Sequence, residues 1–136
     1  MIVGLGVDIV DIARVERMIA AHGERAVQRL FTPNESSYCK GKRRPAQHFA
    51  ARLAAKEAAF KALSGSEEAR AIIWREIEIS VEADGRPTLA LHGRAALRAA
   101  ELGAIRFWVS MTHDGGSAHA TVVLESEATF TNASVR

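Results

Sequence analysis

The sequence predicts an α+β fold in which an antiparallel sheet of hairpins packs on a long alanine-rich helix. Residues 76–91 and 105–125 each alternate between apolar and polar side chains on both sides of a glycine-containing turn, which is the pattern of a β-hairpin. The segments with a helical pattern stand apart from these hairpins along the chain. Such segregation is typical of α+β domains with antiparallel strand pairing.

The N-terminal part of the chain predicts one strand and two capped helices. Residues 2–9 are rich in isoleucine and valine, as expected of a buried strand. Asp11 can cap a helix over residues 12–22. The sequence TPNE at 32–35 is a capping box with proline at the first helical position, so a short helix should follow it.

The alanine-rich helix is predicted over residues 46–63, and Gly65 is expected to end it. This helix is apolar nearly all round, which indicates burial on several sides. The first hairpin should turn at Asp84-Gly85, and an amphipathic helix over 93–102 follows it. The second hairpin joins its strands through the sequence HDGGS.

Length and charge set limits on the class of protein. The 136 residues fit one domain, which we predict to cover residues 1–125, with a loose C-terminal tail over 126–136. The 18 lysines and arginines nearly balance the 16 acidic residues, so no general affinity for nucleic acid is expected. The basic run KGKRRP at 40–45 is typical of a solvated loop, although such a run can also meet phosphate.

The cellular location is predicted from two features. The apolar N-terminus lacks a basic leading region and is too short to span a bilayer, so we expect no membrane association. Cys39 is the single cysteine and cannot form an internal disulfide. A reducing, cytoplasmic location is the simplest interpretation.

Four charged residues lie within the alanine-rich helix. Helical geometry places Arg52 and Lys56 along one edge, and Glu57 and Lys61 along another. One interpretation is an exposed helix with weak i,i+4 pairs, but it leaves the alanine face unexplained. The other is a buried helix whose polar residues line a cleft, which makes them functional candidates because unpaired buried charge is costly.

A further carboxylate, Asp8, lies between Val7 and Ile9 at the end of the first predicted strand, where aspartate is poorly suited. If that strand end meets the middle of the alanine-rich helix, Asp8 and Glu57 could hold one hard cation. Mg²⁺ commonly takes one or two protein carboxylates, and water and substrate phosphate complete its shell. With Lys61 added, the three side chains would form a phosphate-handling site.

Four motifs occur in a characteristic order, namely GLGVDIVDIARVERM, FTPNESSYC, RLAAKEAAFKAL and VSMTHD. Together they resemble the holo-acyl-carrier-protein synthases, the short bacterial group of 4′-phosphopantetheinyl transferases. The resemblance covers residues 2–124 and implies the 4′-phosphopantetheinyl transferase-like fold. It also implies Mg²⁺-dependent transfer of 4′-phosphopantetheine from coenzyme A to a serine of apo-acyl carrier protein, within fatty acid biosynthesis. The products would be holo-acyl carrier protein and adenosine 3′,5′-bisphosphate.

The resemblance also implies roles for individual residues. Asp8 and Glu57 match the Mg²⁺ ligands, and Glu57, Lys61 and His113 are the expected catalytic residues. The coenzyme A site is expected to comprise Arg52, Lys61, Gly65, Arg86, Pro87, Thr112 and His113. The family usually has a glycine where this chain has Ser64, so the contacts of the following loop with coenzyme A are expected to differ.

The general base for the attacking serine is left open between two residues. Glu57, acting through a metal-bound water, is the first candidate, and His113 is the second. His113 could equally be a hairpin residue beside the glycine turn. A metal and a lysine beside the pyrophosphate would supply the positioning and charge neutralisation that phosphoryl transfer requires.

The partner surface and the assembly are predicted as well. Arg14, Arg17 and Met18 give the first helix a cationic, partly apolar outer face, which the resemblance assigns to docking of the acidic carrier protein. By the same resemblance we expect a homotrimer with active sites at subunit interfaces. Asp8, Glu57 and Lys61 would come from one subunit, and His113 with its hairpin neighbours from the next.

Two other classes of function compete with the transferase. One is a catalytically inactive protein of the same fold that binds coenzyme A or a nucleotide. The other is a basic interaction module that uses residues 40–45, but it explains neither Asp8 nor the alanine-rich helix. Asp8, Glu57 and Lys61 together favour the enzyme.

Overall fold

The computed structural model describes residues 1–128, in which a three-stranded antiparallel sheet packs on the alanine-rich helix. The strand order in this sheet is β1-β5-β4, and β2 and β3 form a separate hairpin. The helices are α1 (Ile12–Leu30), α2 (Pro33–Lys40), α3 (Pro45–Leu63) and α4 (Gly93–Glu101). The strands are β1 (Ile2–Asp11), β2 (Ile77–Val81), β3 (Pro87–Leu91), β4 (Ala104–Asp114) and β5 (Ser117–Ser126).

The predicted fold class is confirmed, and most predicted elements are present near their expected bounds. Asp11 caps α1 by accepting a hydrogen bond from the Ala13 amide. Thr32 and Glu35 form both hydrogen bonds of the capping box at the start of α2. Gly65, with φ of 108°, follows the end of α3 as expected. These local signals succeed because each depends on residues only a few positions apart.

Two predicted boundaries were wrong. The strand β1 continues to Asp11, so Asp8 lies within the strand and not at its end. The strand is longer because β5 pairs with it as far as Asp11, a long-range contact that local patterns do not show. The helix α1 does not stop at residue 22 but resumes after Gly23, which has a non-helical φ of 59° and ψ of −141°. The predicted tail lies mostly outside the described residues, and β5 ends at Ser126.

Two glycines on β1 allow α3 to lie unusually close to the sheet. A Cβ atom built on Gly6 would lie 1.8 Å from the Ala58 carbonyl oxygen, and one on Gly4 would lie 2.4 Å from that of Ala62. No side chain fits at such distances. The close approach of the two backbones therefore requires glycine at these positions. It also brings the middle of α3 close to Asp8, which lies two residues after Gly6 on β1.

We expect Gly6→Ala to destabilise the protein by about 3 kcal/mol or more, because overpacking against a fixed backbone forces the helix away from the strand. Gly41→Ala is the matched control, since its Cβ would meet only ordinary contacts at 3.5 Å and its φ is −75°. The free energy of unfolding, measured by urea denaturation, should fall for Gly6→Ala alone. Equal stability of the two variants would contradict the close-packed arrangement of β1 and α3.

The face of the three-stranded sheet that points away from α3 carries exposed apolar side chains. On β1 these are Leu5, Val7 and Ile9, which are 64%, 61% and 57% exposed, and on β4 Trp108 is 56% exposed. The register aligns Leu5 with Val123 of β5 and Val123 with Trp108, so the side chains lie on one surface. We call these four exposed residues the apolar outer face. An apolar surface of this kind is typical of an interaction site.

Cys39 is buried in the core, and burial raises the pKa of its thiol to about 11. The thiol therefore stays protonated and packs as an apolar group. No helix among residues 1–128 is both long and apolar enough to cross a membrane.

Candidate active site

Asp8 and Lys61 form an ion pair where α3 crosses β1. The Lys61 ammonium lies 3.0 Å from Asp8 Oδ1, and it also donates a hydrogen bond of 2.9 Å to the Val7 carbonyl oxygen. The Asp8 side chain is only 14% exposed, whereas Lys61 is 57% exposed. The lysine therefore reaches from solvent to a largely buried carboxylate, and its free side faces outward where a ligand could approach.

Glu57 brings a second carboxyl group to Asp8. Burial and the neighbouring Asp8 carboxylate raise the pKa of Glu57 to about 7. Burial acts against ionisation of Asp8 as well, but Glu57 and Lys61 outweigh it and hold the pKa of Asp8 below its usual value. Two carboxyl groups that perturb each other in this way are characteristic of functional sites.

The pair fits a divalent cation on an observation independent of these pKa values. The second carboxylate oxygen of Asp8, Oδ2, is buried and has no hydrogen-bond partner among the described residues. A buried acceptor without a donor is costly, and a hard cation would satisfy it. No third His, Cys, Asp or Glu joins Asp8 and Glu57 within residues 1–128. Two carboxylates alone match the usual protein share of a Mg²⁺ shell.

The positive charge of Arg14 acts on Glu57. This arginine of α1 lies near enough to lower the pKa of Glu57, although burial and Asp8 outweigh it. Arg14 and Arg17 are both exposed, and Met18 is partly buried. The helix face predicted to dock a carrier protein thus begins beside the carboxylate pair.

A second group of predicted residues lies together elsewhere on the chain. One cavity is lined by ten residues of α2, α3, β4 and the β2–β3 hairpin, and Arg52, Pro87, Thr112 and His113 are among them. The His113 ring contacts the side-chain amide of Gln47. The structure therefore brings four of the predicted coenzyme A residues to one place.

Arg52 is the most notable member of this second group. It is 2% exposed, its guanidinium stacks 4.3 Å from the centre of the Tyr38 ring, and its Nε has no hydrogen-bond partner among the described residues. Burial, followed by the charges of Arg52 and Lys42, lowers the pKa of the adjacent His48. A buried donor in a positive environment is suited to an anion such as phosphate.

The two groups do not meet within one chain. Arg52 and Glu57 are five residues apart on α3, so their side chains point about 140° apart around the helix axis. Asp8, Glu57 and Lys61 do not line the cavity that contains Arg52 and His113. We call the first three residues the carboxylate half-site, and the group of Arg52, Pro87, Thr112 and His113 the basic half-site.

Two further predicted residues lie apart from both half-sites. Gly65 lines a separate cavity with Ser64 and Phe60 beyond the end of α3. Arg86 is exposed at the tip of the hairpin, where it forms an ion pair of 2.7 Å with Asp84. Arg86 itself does not line the cavity of the basic half-site, although its two neighbours, Gly85 and Pro87, do.

One charged residue of α3 fits neither of the two interpretations that the sequence left open. Lys56 is fully buried and forms an ion pair of 2.7 Å with Glu35, which is also fully buried. The capping-box pattern identified Glu35 but gave no sign of this partner. Glu35 and Lys56 belong to different helices, so no local sequence pattern indicates that they pair.

The fold and the two half-sites define a class of α+β protein. In this class, β1 and α3 together carry two carboxyl groups and a lysine, and a separate cavity contains a buried arginine. The chain belongs to the 4′-phosphopantetheinyl transferase superfamily, whose family model matches residues 4–123. The predicted family resemblance is confirmed, and with it the assignment of the chain to a family of transferase enzymes.

Individual relatives support this membership over nearly the whole chain. Holo-(acyl-carrier-protein) synthase of Geobacter sulfurreducens is 46% identical over 125 residues, which are 92% of this chain and 98% of that relative. The crystal structure of the synthase from Neisseria meningitidis matches with a TM-score of 0.81 and 30% identity, over 93% of this chain and 100% of that one. The synthase from Helicobacter pylori, solved in complex with coenzyme A, matches with a TM-score of 0.75 and 29% identity, over 89% and 99% of the two chains.

Proposed function

We propose that this protein transfers the 4′-phosphopantetheine group of coenzyme A to a serine of apo-acyl carrier protein, with Mg²⁺ as cofactor. The observation that carries the proposal is the carboxylate half-site, where Asp8 and Glu57 face each other and Lys61 stands beside them. The relatives named for this activity, and the neighbour that binds coenzyme A, support the substrates. We place the reaction in the cytoplasm and in fatty acid biosynthesis.

The reaction forms a bond between the serine oxygen and the β-phosphorus of coenzyme A. It breaks the bond from that phosphorus to the bridging oxygen, and adenosine 3′,5′-bisphosphate leaves. Bound Mg²⁺ would be held by Asp8 and Glu57 and would supply charge neutralisation at the pyrophosphate. Lys61 lies at the same place and adds a second positive charge toward solvent, where the pyrophosphate would lie.

The proton of the attacking serine must go to a base. Glu57, acting through a bound water, is our first candidate, because it is part of the half-site where the phosphorus would lie. His113 is the second candidate. Its contact with Gln47 orients the ring within the basic half-site, where binding of a coenzyme A phosphate is the simpler role.

We also propose that the protein assembles as a homotrimer, in which the carboxylate half-site of one subunit meets the basic half-site of the next. The separation of Glu57 and Arg52 around α3 supports this arrangement, because one extended ligand cannot reach both within a single chain without passing the helix. The apolar outer face offers a surface for the assembly, since Leu5, Val7, Ile9 and Trp108 are each more than half exposed.

The acidic carrier protein is proposed to dock on α1 through Arg14, Arg17 and Met18. We expect Arg14→Glu combined with Arg17→Glu to raise the KM for the carrier at least about tenfold, and the KM for coenzyme A less than about twofold. Because exposed charges are screened over about 10 Å at 0.1 M salt, the wild-type KM for the carrier should also rise with salt. Steady-state kinetics with each substrate varied in turn measures both effects.

The matched control is Arg25→Glu combined with Arg29→Glu, which makes the same change of charge on the distal part of α1, where both arginines are exposed. This control should leave the KM for the carrier near the wild-type value. A similar rise in both double variants would mean that net charge, and not the face of Arg14 and Arg17, governs docking.

Mass spectrometry of the carrier protein tests the proposed function. Apo-carrier incubated with the enzyme, coenzyme A and Mg²⁺ should gain the mass of one phosphopantetheine group, and a chelator should prevent the gain. A carrier whose acceptor serine is replaced by alanine is the control and should not change in mass. Binding of coenzyme A without transfer to any carrier would favour the inactive binding protein instead.

A further inference from the structure

A completely buried ion pair joins α3 to the rest of the fold next to the carboxylate half-site. The Lys56 ammonium lies 2.7 Å from Glu35 Oε1, and neither side chain is exposed to any degree. Lys56 directly precedes Glu57 in the sequence. The proposed reaction uses neither member of the pair.

The Lys56 ammonium has an acceptor for each of its three protons, and both carboxylate oxygens of Glu35 accept hydrogen bonds. Lys56 Nζ also donates to the carbonyl oxygens of Trp74, at 3.0 Å, and Ile77, at 2.5 Å. Glu35 accepts hydrogen bonds from the amides of Thr32, at 2.8 Å, and Ile79, at 3.0 Å. The pair therefore ties α3 to the start of α2, to the 3-10 turn Trp74–Glu76 and to β2.

Stability alone does not explain a buried ion pair, because well-packed apolar side chains often serve the fold as well or better. Its hydrogen bonds are directional, however, and they hold the middle of α3, where most of the neighbouring buried side chains are apolar. The helix is buried on nearly all sides, and its bulky apolar side chains can repack after a small rotation. Two neighbouring rows of alanine, at 50, 54, 58 and 62 and at 51, 55 and 59, are both small enough to lie against Gly4 and Gly6.

We propose that the Glu35–Lys56 pair sets the rotation of α3 about its own axis and thereby positions Glu57 and Lys61 against Asp8. Glu57 and Lys61 project about 100° and 140° around the helix from Lys56, so a rotation that releases Lys56 displaces both of them relative to Asp8. Glu35 and Lys56 are positioning residues under this proposal. The role of Glu57 as a metal ligand rests on the proposed function. The claim that the pair sets the rotation of α3 does not depend on it.

The test compares two double variants. Glu35→Gln with Lys56→Met removes the buried pair and nearly keeps its volume. Glu24→Gln with Lys40→Met is the matched control, because it removes an ion pair of the same 2.7 Å length that is exposed. Residual dipolar couplings of backbone amides vary periodically along a helix, and the phase of this variation reports the rotation of α3. Electron paramagnetic resonance measures binding of Mn²⁺ alone.

In the folded variant that lacks the buried pair, the phase of the dipolar couplings along α3 should differ from the wild-type phase, with the sheet as the reference frame. The Mn²⁺ dissociation constant should rise at least tenfold. The control should keep the wild-type phase, and its dissociation constant should change less than twofold. An unchanged phase, or an unchanged affinity for Mn²⁺, in the folded buried-pair variant would overturn the proposal. Wild-type protein that binds no Mn²⁺ would refute the metal site, and the phase alone would then decide the rotation.

A second variant decides the question if the first does not fold. Glu35→Asp keeps both charges but shortens the acid by one methylene, so it cannot reach Lys56 and the amides of Thr32 and Ile79 together. A smaller phase shift and a several-fold loss of Mn²⁺ affinity are expected. Wild-type values in folded Glu35→Asp would contradict the proposal. If neither variant folds, the pair is needed for the fold itself and the positioning role is refuted.

Discussion

Glu57→Ala and Asp8→Ala are each expected to abolish Mg²⁺-stimulated transfer, with kcat/KM falling at least about a hundredfold. Each substitution removes one of the two carboxylates that would hold the cation. Substitution of residues that only support a metal ligand already lowers metal affinity or activity by about 10- to 100-fold. Lys61 alone cannot replace the lost cation, because it supplies a single charge at one side of the pyrophosphate. Rates at several Mg²⁺ concentrations, measured by mass spectrometry of the carrier, give the comparison.

The loss should occur without loss of the fold. The pKa of Glu57 is raised in the folded protein, so above its ordinary pKa near 4.5 its ionisation favours the unfolded state. Removal of this carboxyl at pH 8 should therefore leave the free energy of unfolding at or above the wild-type value. Glu24→Ala, which removes a glutamate from an exposed ion pair, is the control and should keep full activity. Near-normal transfer by folded Glu57→Ala or Asp8→Ala would overturn the metal assignment.

The local parts of this structure were predictable from the sequence for a physical reason. The cap at Asp11, the capping box of Thr32 and Glu35, and both hairpin turns depend on contacts between near neighbours in the chain. The proximity of Asp8 and Glu57 was anticipated because one carboxylate lies in an apolar strand and the other in an apolar helix, and because the family resemblance implies it. The glycine spacing of Gly4 and Gly6 explains, in retrospect, how the strand and the helix come close enough.

The remaining features depend on contacts between distant parts of the chain. No local pattern indicates that Lys56 pairs with Glu35, because the capping box already accounts for that glutamate. The resumption of α1 after Gly23 is likewise a result of packing, with Val27 buried in the core. The angle of about 140° between Arg52 and Glu57, in contrast, follows from helix geometry and could have been used to separate the half-sites.

Mixing of two inactive variants should restore activity if the half-sites of neighbouring subunits meet. Glu57→Ala damages the carboxylate half-site, and His113→Ala damages the basic half-site. Random association in equal amounts makes about one quarter of the interfaces intact on both sides, so about a quarter of the wild-type activity should return. Arg52→Met can replace His113→Ala if the histidine variant retains activity, because both residues line the same cavity.

The combination of Glu57→Ala with Asp8→Ala provides the control. Both changes damage the carboxylate half-site, so no interface in that mixture is complete and no activity should return. Native mass spectrometry shows whether the mixtures contain heterotrimers.

The division of the site between subunits is tested most directly by the transfer rate of the co-refolded Glu57→Ala and His113→Ala mixture, compared with that of each variant alone. Shared sites predict recovery of the mixture as a whole to about a quarter of the wild-type rate. A mixture that contains heterotrimers and stays as inactive as its two components, or an active wild-type protein with the mass of a monomer, would contradict the shared site.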